Sequence, residues 1–213
     1  MAEQARPTYT KSIFDEIKLR LTGPMQENAT RPPSLRVSVV KNNPRIDVFT
    51  NIANDTDYGK IPAPMEGITM YALLEALNKH IDGGPDQHTM IENKVGMPGE
   101  QRTLTTTVLG KDIEGRVFIS VIAEGRPKIK FVFLPSAWHS FSHKDGTAYG
   151  EAELSCLCAK GWVNMVSNLM ANVMNTHYVP YDPQQNQAMS APQASVANSI
   201  IGQSAQFDQE LPY

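Results

Sequence analysis

Cysteine is almost missing from this chain: Cys156 and Cys158 are the only two among 213 residues. Two positions apart on an expected helix, they point in different directions and are badly placed to bridge each other. That excludes a disulfide-stapled scaffold and leads to the expectation of a reduced, cytoplasmic protein. Long apolar runs are missing too. None approaches the ~20 residues of a membrane span, and no apolar run follows a basic start, so neither a membrane protein nor a signal peptide is expected. There is no G-x-x-x-x-G-K-S phosphate loop and no G-x-S-x-G elbow. No set of residues assembles a nucleophile, a base and an oxyanion site, so the expectation is a non-enzyme without cofactor. His139, His143, Cys156 and Cys158 are four possible zinc ligands, but one residue between the cysteines is fewer than metal-binding pairs use, and packing accounts for them better. Asp55 and Asp57 suit a divalent ion less well than an acidic turn before Gly59. No metal is expected.

Basic residues stop early. All 19 lie at or before Lys160, together with 19 of the 22 acidic residues, so the body is neutral. Asp182, Asp208 and Glu210 follow with nothing to balance them, and the net charge is −3. A neutral body lacks the strongly basic footprint of most duplex binders. Single-strand binding needs only a local basic groove and stacking rings, so it stays open.

The pattern along the chain predicts an α+β domain over residues 1–178 and a flexible tail over 179–213. Ser12 to Leu21 has the spacing of a short helix ended by Gly23-Pro24. Leu35 to Lys41 and Arg45 to Asn51 alternate as strands about a turn at Asn42-Asn43-Pro44. Ile61 to Pro64 is extended because residues before proline avoid helical angles. Ile68 to Ile81 is a helix with Tyr71, Leu74, Leu77 and Ile81 on one stripe, stopped at Gly83-Gly84-Pro85. Arg102 to Leu134 reads as three strands with turns at 110–115 and 124–127. A loop over 136–147 carries Trp138, His139, Phe141 and His143. Glu151 to about Tyr178 is a long helix with Leu154, Leu157, Trp162, Met165, Leu169 and Val173 near one face. Met165, Met170 and Met174 suit a homo-oligomer interface, and core burial explains them as well. Hairpins on both sides of a helix favour an antiparallel sheet with helices packed on one face. From Tyr178 onward the chain is rich in Gln, Asn, Ala, Ser and Pro, the composition of a disordered segment.

The sequence ends Gln206-Phe207-Asp208-Gln209-Glu210-Leu211-Pro212-Tyr213. An acidic cluster followed by Leu-Pro-aromatic and an α-carboxylate has no core to enter after such a polar segment. It suits capture by another protein, rings and leucine in a pocket and carboxylates clamped by basic residues. The eight residues resemble the C-terminal tip of bacterial-type single-stranded DNA-binding proteins, Asp-Phe-Asp-Asp-Asp-Ile-Pro-Phe in its usual form. Phe207, Asp208, Glu210 and Pro212 fall in register, Leu211 replaces isoleucine and Tyr213 replaces phenylalanine. Gln206 and Gln209 depart from the pattern and make this tip less acidic. The resemblance implies single-stranded DNA as ligand and replication, repair or RNA polymerase proteins as partners of Phe207 to Tyr213. It also implies, for a phage-encoded chain, the host cytoplasm. The family's usual body is an oligonucleotide-binding barrel, kept as the alternative fold; its body motifs are missing here, and phage proteins that join unrelated bodies to similar tips compare better.

The strands supply a second set of candidates. Alternate residues face opposite ways. Val117, Ile119, Val121 and Ala123 share one face, with Arg116, Phe118 and Ser120 on the other. Ile129, Phe131 and Phe133 oppose Lys128 and Lys130, and Ile46 and Val48 oppose Arg45, Asp47 and Phe49. The outward set, Arg45, Phe49, Arg116, Phe118, Lys128 and Lys130, joins cations for phosphates to rings for bases. Solvated faces also carry such cations, and an outward Phe also sits beneath helices. Trp138 either clamps a base or anchors its loop to the core. Tyr9 and Lys11 are lesser candidates. The expectation is a sequence-independent single-stranded DNA-binding protein that recruits partners through its tip; the alternative is an interaction adaptor without nucleic-acid affinity, with a metal-dependent nuclease a distant third.

Overall fold

The computed structural model describes residue 14, residues 19–40, 42–97 and 99–176, and residue 178. Its elements are β1 (Leu21–Thr22), β2 (Ser34–Val40), β3 (Asn43–Phe49), a 3-10 turn (Thr56–Gly59) and β4 (Lys60–Pro64). Helix α1 (Gly67–Asp82) follows, then β5 (Gln87–Val95), β6 (Arg102–Lys111), β7 (Val117–Ile122), β8 (Phe131–Val132) and helix α2 (Glu151–Thr176). The class is α+β with antiparallel pairing throughout. The strands form two open four-stranded sheets, β1-β2-β3-β4 and β5-β6-β7-β8, rather than one sheet. No helix among the described residues is long and apolar enough to cross a membrane.

The period-2 pattern decides which strand residues enter the core. Leu35, Val37, Ile46, Val48 and Ile61 from the first sheet are 0–3% exposed, as are Val117, Ile119, Val121 and Phe131 from the second and Ile129 and Phe133, which flank the two-residue β8. They join Leu73, Leu74 and Leu77 of α1 and Trp162, Val163 and Val166 of α2 in one core. Burying each large apolar side chain contributes about 1.5–3 kcal/mol, enough to settle every strand's register. Pro62 and Pro64 lie on β4, an edge strand of its sheet, where a missing N–H costs no ladder bond.

Several local expectations need correction. Leu21 is in β1, paired with Leu35, rather than in a helix; of the expected N-terminal helix only Phe14, helical and buried, and the residues from Leu19 onward are described. The β2–β3 hairpin turns through Asn42, left-handed at φ 67°, so Asn43 and Pro44 belong to β3. Strand β5 had no expectation at all. It is polar, no residue of it is fully buried, and its backbone ladder with β6 holds it at the sheet edge. On α1, Tyr71 lies beside the buried stripe, 39% exposed, and its hydroxyl donates to the Ser167 carbonyl of α2 at 3.3 Å.

Helix α2 is rotated from its expected face. Ser155, Ala159, Trp162, Val163, Val166 and Met170 are buried, while Leu157 and Met165 stand 47% and 46% exposed. The small residues decide this. Ser155 Oγ accepts from the Val117 N–H at 2.8 Å and donates to the Val117 carbonyl at 3.1 Å, which draws the helix close to the start of β7. Trp162 Nε1 donates to the Leu19 carbonyl at 2.7 Å, and its ring meets Phe133 edge-on at 5.3 Å. Met170 is core, and Met174 packs partly against it.

Candidate nucleic-acid interface

The outward residues of the first sheet converge on one ring. In register, Phe49 lies between Ser34 and Lys60, and Asp47 between Arg36 and Pro62. The Arg36 guanidinium lies 4.6 Å from the Phe49 ring centre and Lys60 Nζ 5.7 Å. Cations at that range are held to a ring's face by its quadrupole. Asp47 points the same way but is almost covered: Arg45 Nε contacts it at 2.9 Å, Lys60 Nζ at 3.4 Å and Ser38 Oγ at 3.3 Å. Arg45 and Lys60 therefore meet one carboxylate, while Arg36 and Lys60 flank one half-buried ring.

The second sheet repeats the chemistry with the opposite charge balance. Lys130 Nζ sits 5.1 Å from the Phe118 ring centre. It also contacts Asp112 Oδ2 at 2.6 Å, and Arg116 reaches the same oxygen at 3.0 Å. Arg116 is further paired with Glu114, and with Glu151 of α2 at 3.3 Å. Burial pushes the Asp112 carboxyl up, but the hydrogen bonds from Lys130 and Arg116 outweigh it and hold the group below its usual 3.8. Two cations thus meet three acids. Lys128 is exposed nearby in the sequence.

A groove of about 660 Å³ runs beside this patch, between the chain at β1 and the chain at β8. Arg20, Arg116 and Lys130 line it together with Leu21, Val132, Leu134 and Ser136. Two residues past Ser136 stands Trp138, 92% exposed, so it does not anchor the loop. The loop is braced locally instead. Ser136 Oγ and His139 Nδ1 are 2.8 Å apart, and the His139 N–H donates to the Ser136 carbonyl at 3.0 Å. Farther along, His143 stacks on Tyr149 at 3.9 Å.

The structure therefore divides the candidates. Arg45 and Phe49 belong to one sheet and Phe118 to the other. Arg116 and Lys130 immediately precede β7 and β8 rather than lying in strands, Lys128 lies in the same non-strand segment before β8, and Trp138 is on the loop beyond. Arg36, Lys60 and Arg20 were missed. Arg36 alternates outward from Leu35 and Val37 by the same period that identified Arg45, so its signal was readable; the approach of Lys60 and Arg20 depends on pairing and packing. Cys156 and Cys158 are free, and the Cys156 thiol donates weakly to the Ile81 carbonyl at 3.8 Å. Among the described residues no group of three or more His, Cys, Asp or Glu is placed to hold a metal ion. Tyr9, Lys11 and the tip residues Phe207, Asp208, Glu210, Leu211, Pro212 and Tyr213 lie outside the described residues. No protein family, curated protein or solved structure matches the chain.

Proposed function

We propose that this protein binds single-stranded DNA with little regard to sequence and uses its C-terminal tip to recruit replication, repair or transcription proteins. The observation that carries the reading is the almost fully exposed Trp138, two residues along the chain from Ser136 in a groove also lined by Arg20, Arg116 and Lys130. A tryptophan left in water forgoes the burial that makes it favourable, and an unpaired base restores it by stacking while cations hold the phosphates. The Phe49 patch supplies the same two elements on the other sheet. The eight-residue tip resemblance supports the recruiting role. A second reading, an adaptor without nucleic-acid affinity, is favoured by the acids that already neutralise Arg116 and Lys130.

The deciding experiment is a mobility shift with labelled oligo-dT and with duplex of equal length across a salt series. Preference for the single strand, with affinity falling steeply as salt rises, supports the proposal. Equal affinity for both forms, or none at low salt, removes it in favour of the adaptor. Deleting residues 207–213 is expected to keep DNA binding and lose partner capture; identical pull-downs from full-length and shortened protein would remove the recruiting role.

A further inference from the structure

Between Thr50 and Lys60 the chain adopts a turn that ordinary residues avoid. Asp57 at φ 50° and Tyr58 at φ 54° are both left-handed, followed by Gly59 at φ 75°. A Cβ crowds the following carbonyl in that region, so two such residues in succession persist only when the surroundings hold them. Here the surroundings do. The Thr50 N–H donates to the Gly59 carbonyl at 2.8 Å, and the Thr50 hydroxyl donates to Asp55. Arg126, from the turn that follows β7, donates to Asp55 at 3.0 Å and to the Lys60 carbonyl at 3.4 Å. The Arg126 and Asp55 side chains are each only 9% exposed. The result is that Tyr58 is carried wholly into solvent.

Its position matters more than its exposure. Phe49 and Lys60 are the last register pair of the β3–β4 hairpin, and Tyr58 stands in the turn immediately beyond them. Only Gly59 separates it from Lys60, a reach of at most about 7 Å along the chain. A braced turn that projects an uncharged ring next to a ring flanked by Arg36 and Lys60 has the parts for two neighbouring bases and the phosphates between them. Asp57 is the exposed acid of the turn, Asp55 being buried against Arg126, and Arg126 lies 3.7 Å from Asp57 as well.

We infer that Tyr58 is a second base-stacking platform adjoining Phe49, and that the buried Arg126–Asp55 pair is the brace that holds it out. This rests on the single-strand reading above and extends it to a residue outside the sheet face. The test uses full-length protein, fluorescently labelled oligo-dT and anisotropy over a salt series, for wild type, Tyr58→Ala and Tyr58→Phe. Tyr58→Ala is expected to weaken binding about 5- to 150-fold with an unchanged salt slope, as loss of one stacked base does. Tyr58→Phe, which keeps the ring, is expected to bind as wild type, and both variants to melt as wild type because the side chain buries nothing. Wild-type binding by Tyr58→Ala, or a loss confined to the salt slope, overturns the inference while leaving single-strand binding intact. Failure of the wild-type protein itself to bind oligo-dT removes both together.

Discussion

The two sheets carry the same residue types to their outer faces and arrive at different electrostatic outcomes. On the first, Arg36 and Lys60 flank Phe49, and Arg45 and Lys60 pair with Asp47. On the second, Arg116 and Lys130 border Phe118 and are tied to Asp112, Glu114 and Glu151. Arg45 and Lys60 share one carboxylate, whereas Arg116 and Lys130 are held by three. A phosphate approaching the second patch competes with three carboxylates already in contact, whereas at the first Arg45 and Lys60 have one between them. A cation next to an aromatic is therefore not a nucleic-acid signature until its neighbours have been counted.

The largest effect is expected from stripping the first patch. Combining Phe49→Ala with Lys60→Ala is expected to reduce affinity for oligo-dT by about 20-fold or more, through a lost stacking platform and a lost phosphate contact. The matching pair on the second sheet, Phe118→Ala with Lys130→Ala, is expected to cost less than about fivefold, because Lys130 is already held by Asp112. Filter binding on both variants decides the ranking. Equal losses would break the contrast between the sheets.

Trp138→Ala sharpens it from the groove side. The side chain is 92% exposed, so thermal stability is expected to stay within about 0.5 kcal/mol of wild type. Single-strand affinity is expected to fall about tenfold, within the range of one stacked base. Unchanged affinity would leave the groove without a role and the first sheet as the whole interface.

A smaller effect, in the opposite direction, is expected from Asp112→Asn. The amide keeps an acceptor for the Glu114 and Arg116 N–H groups, which Asp112 Oδ1 now serves at 3.1 and 2.8 Å. It removes the charge that holds Lys130 and Arg116. Affinity at low salt is expected to rise a few-fold, on the order of one added phosphate contact. No gain would mean that the acids do not silence this patch.

The smallest expected effects come from pH. Burial raises the Asp55 carboxyl, but hydrogen bonds from Thr50 and Arg126 and the charge of Arg126 outweigh it, and the group sits below its usual 3.8. Asp112 is lowered likewise. For both, the unfolded chain takes up protons that the folded protein refuses, so the stability they contribute is complete above about pH 4 and drains as pH falls through the lowered values. His80 is held below its usual 6.5 by burial and then by the charges of His88 and Lys111. Its contribution begins to fade below pH 6.5 by the same sign. Thermal melts from pH 7 to 3 are expected to show a shallow decline followed by a steeper one, and Asp55→Asn to flatten the steeper part. A melting curve level down to pH 3 would show that neither ion pair contributes.

Much of the fold was legible in the strands because a one-residue slip would turn every apolar side chain outward. Val117, Ile119 and Val121, and Ile129, Phe131 and Phe133, are buried as their alternation requires. The same alternation marked Arg45, Phe49, Arg116, Phe118, Lys128 and Lys130 as pointing the other way. It was silent where burial is incomplete. Strand β5 has no strong inward set, and α2 rotated because Ser155 gains two hydrogen bonds to Val117 that no hydrophobicity count includes.

By itself, then, the sequence determined the α+β class, the inward and outward faces of the main strands, both long helices and the identity of the aromatic and basic candidates, since all of these follow from local period and residue type. Only the tertiary structure decided that the strands separate into two sheets, that Arg36 and Lys60 meet over Phe49, that Asp112 gathers Arg116 and Lys130, and that Arg126 braces the turn displaying Tyr58. Those pairings join residues distant along the chain, such as Arg126 with Asp55 and Glu151 with Arg116. Their energies depend on which charges burial brings together, and no local pattern encodes that.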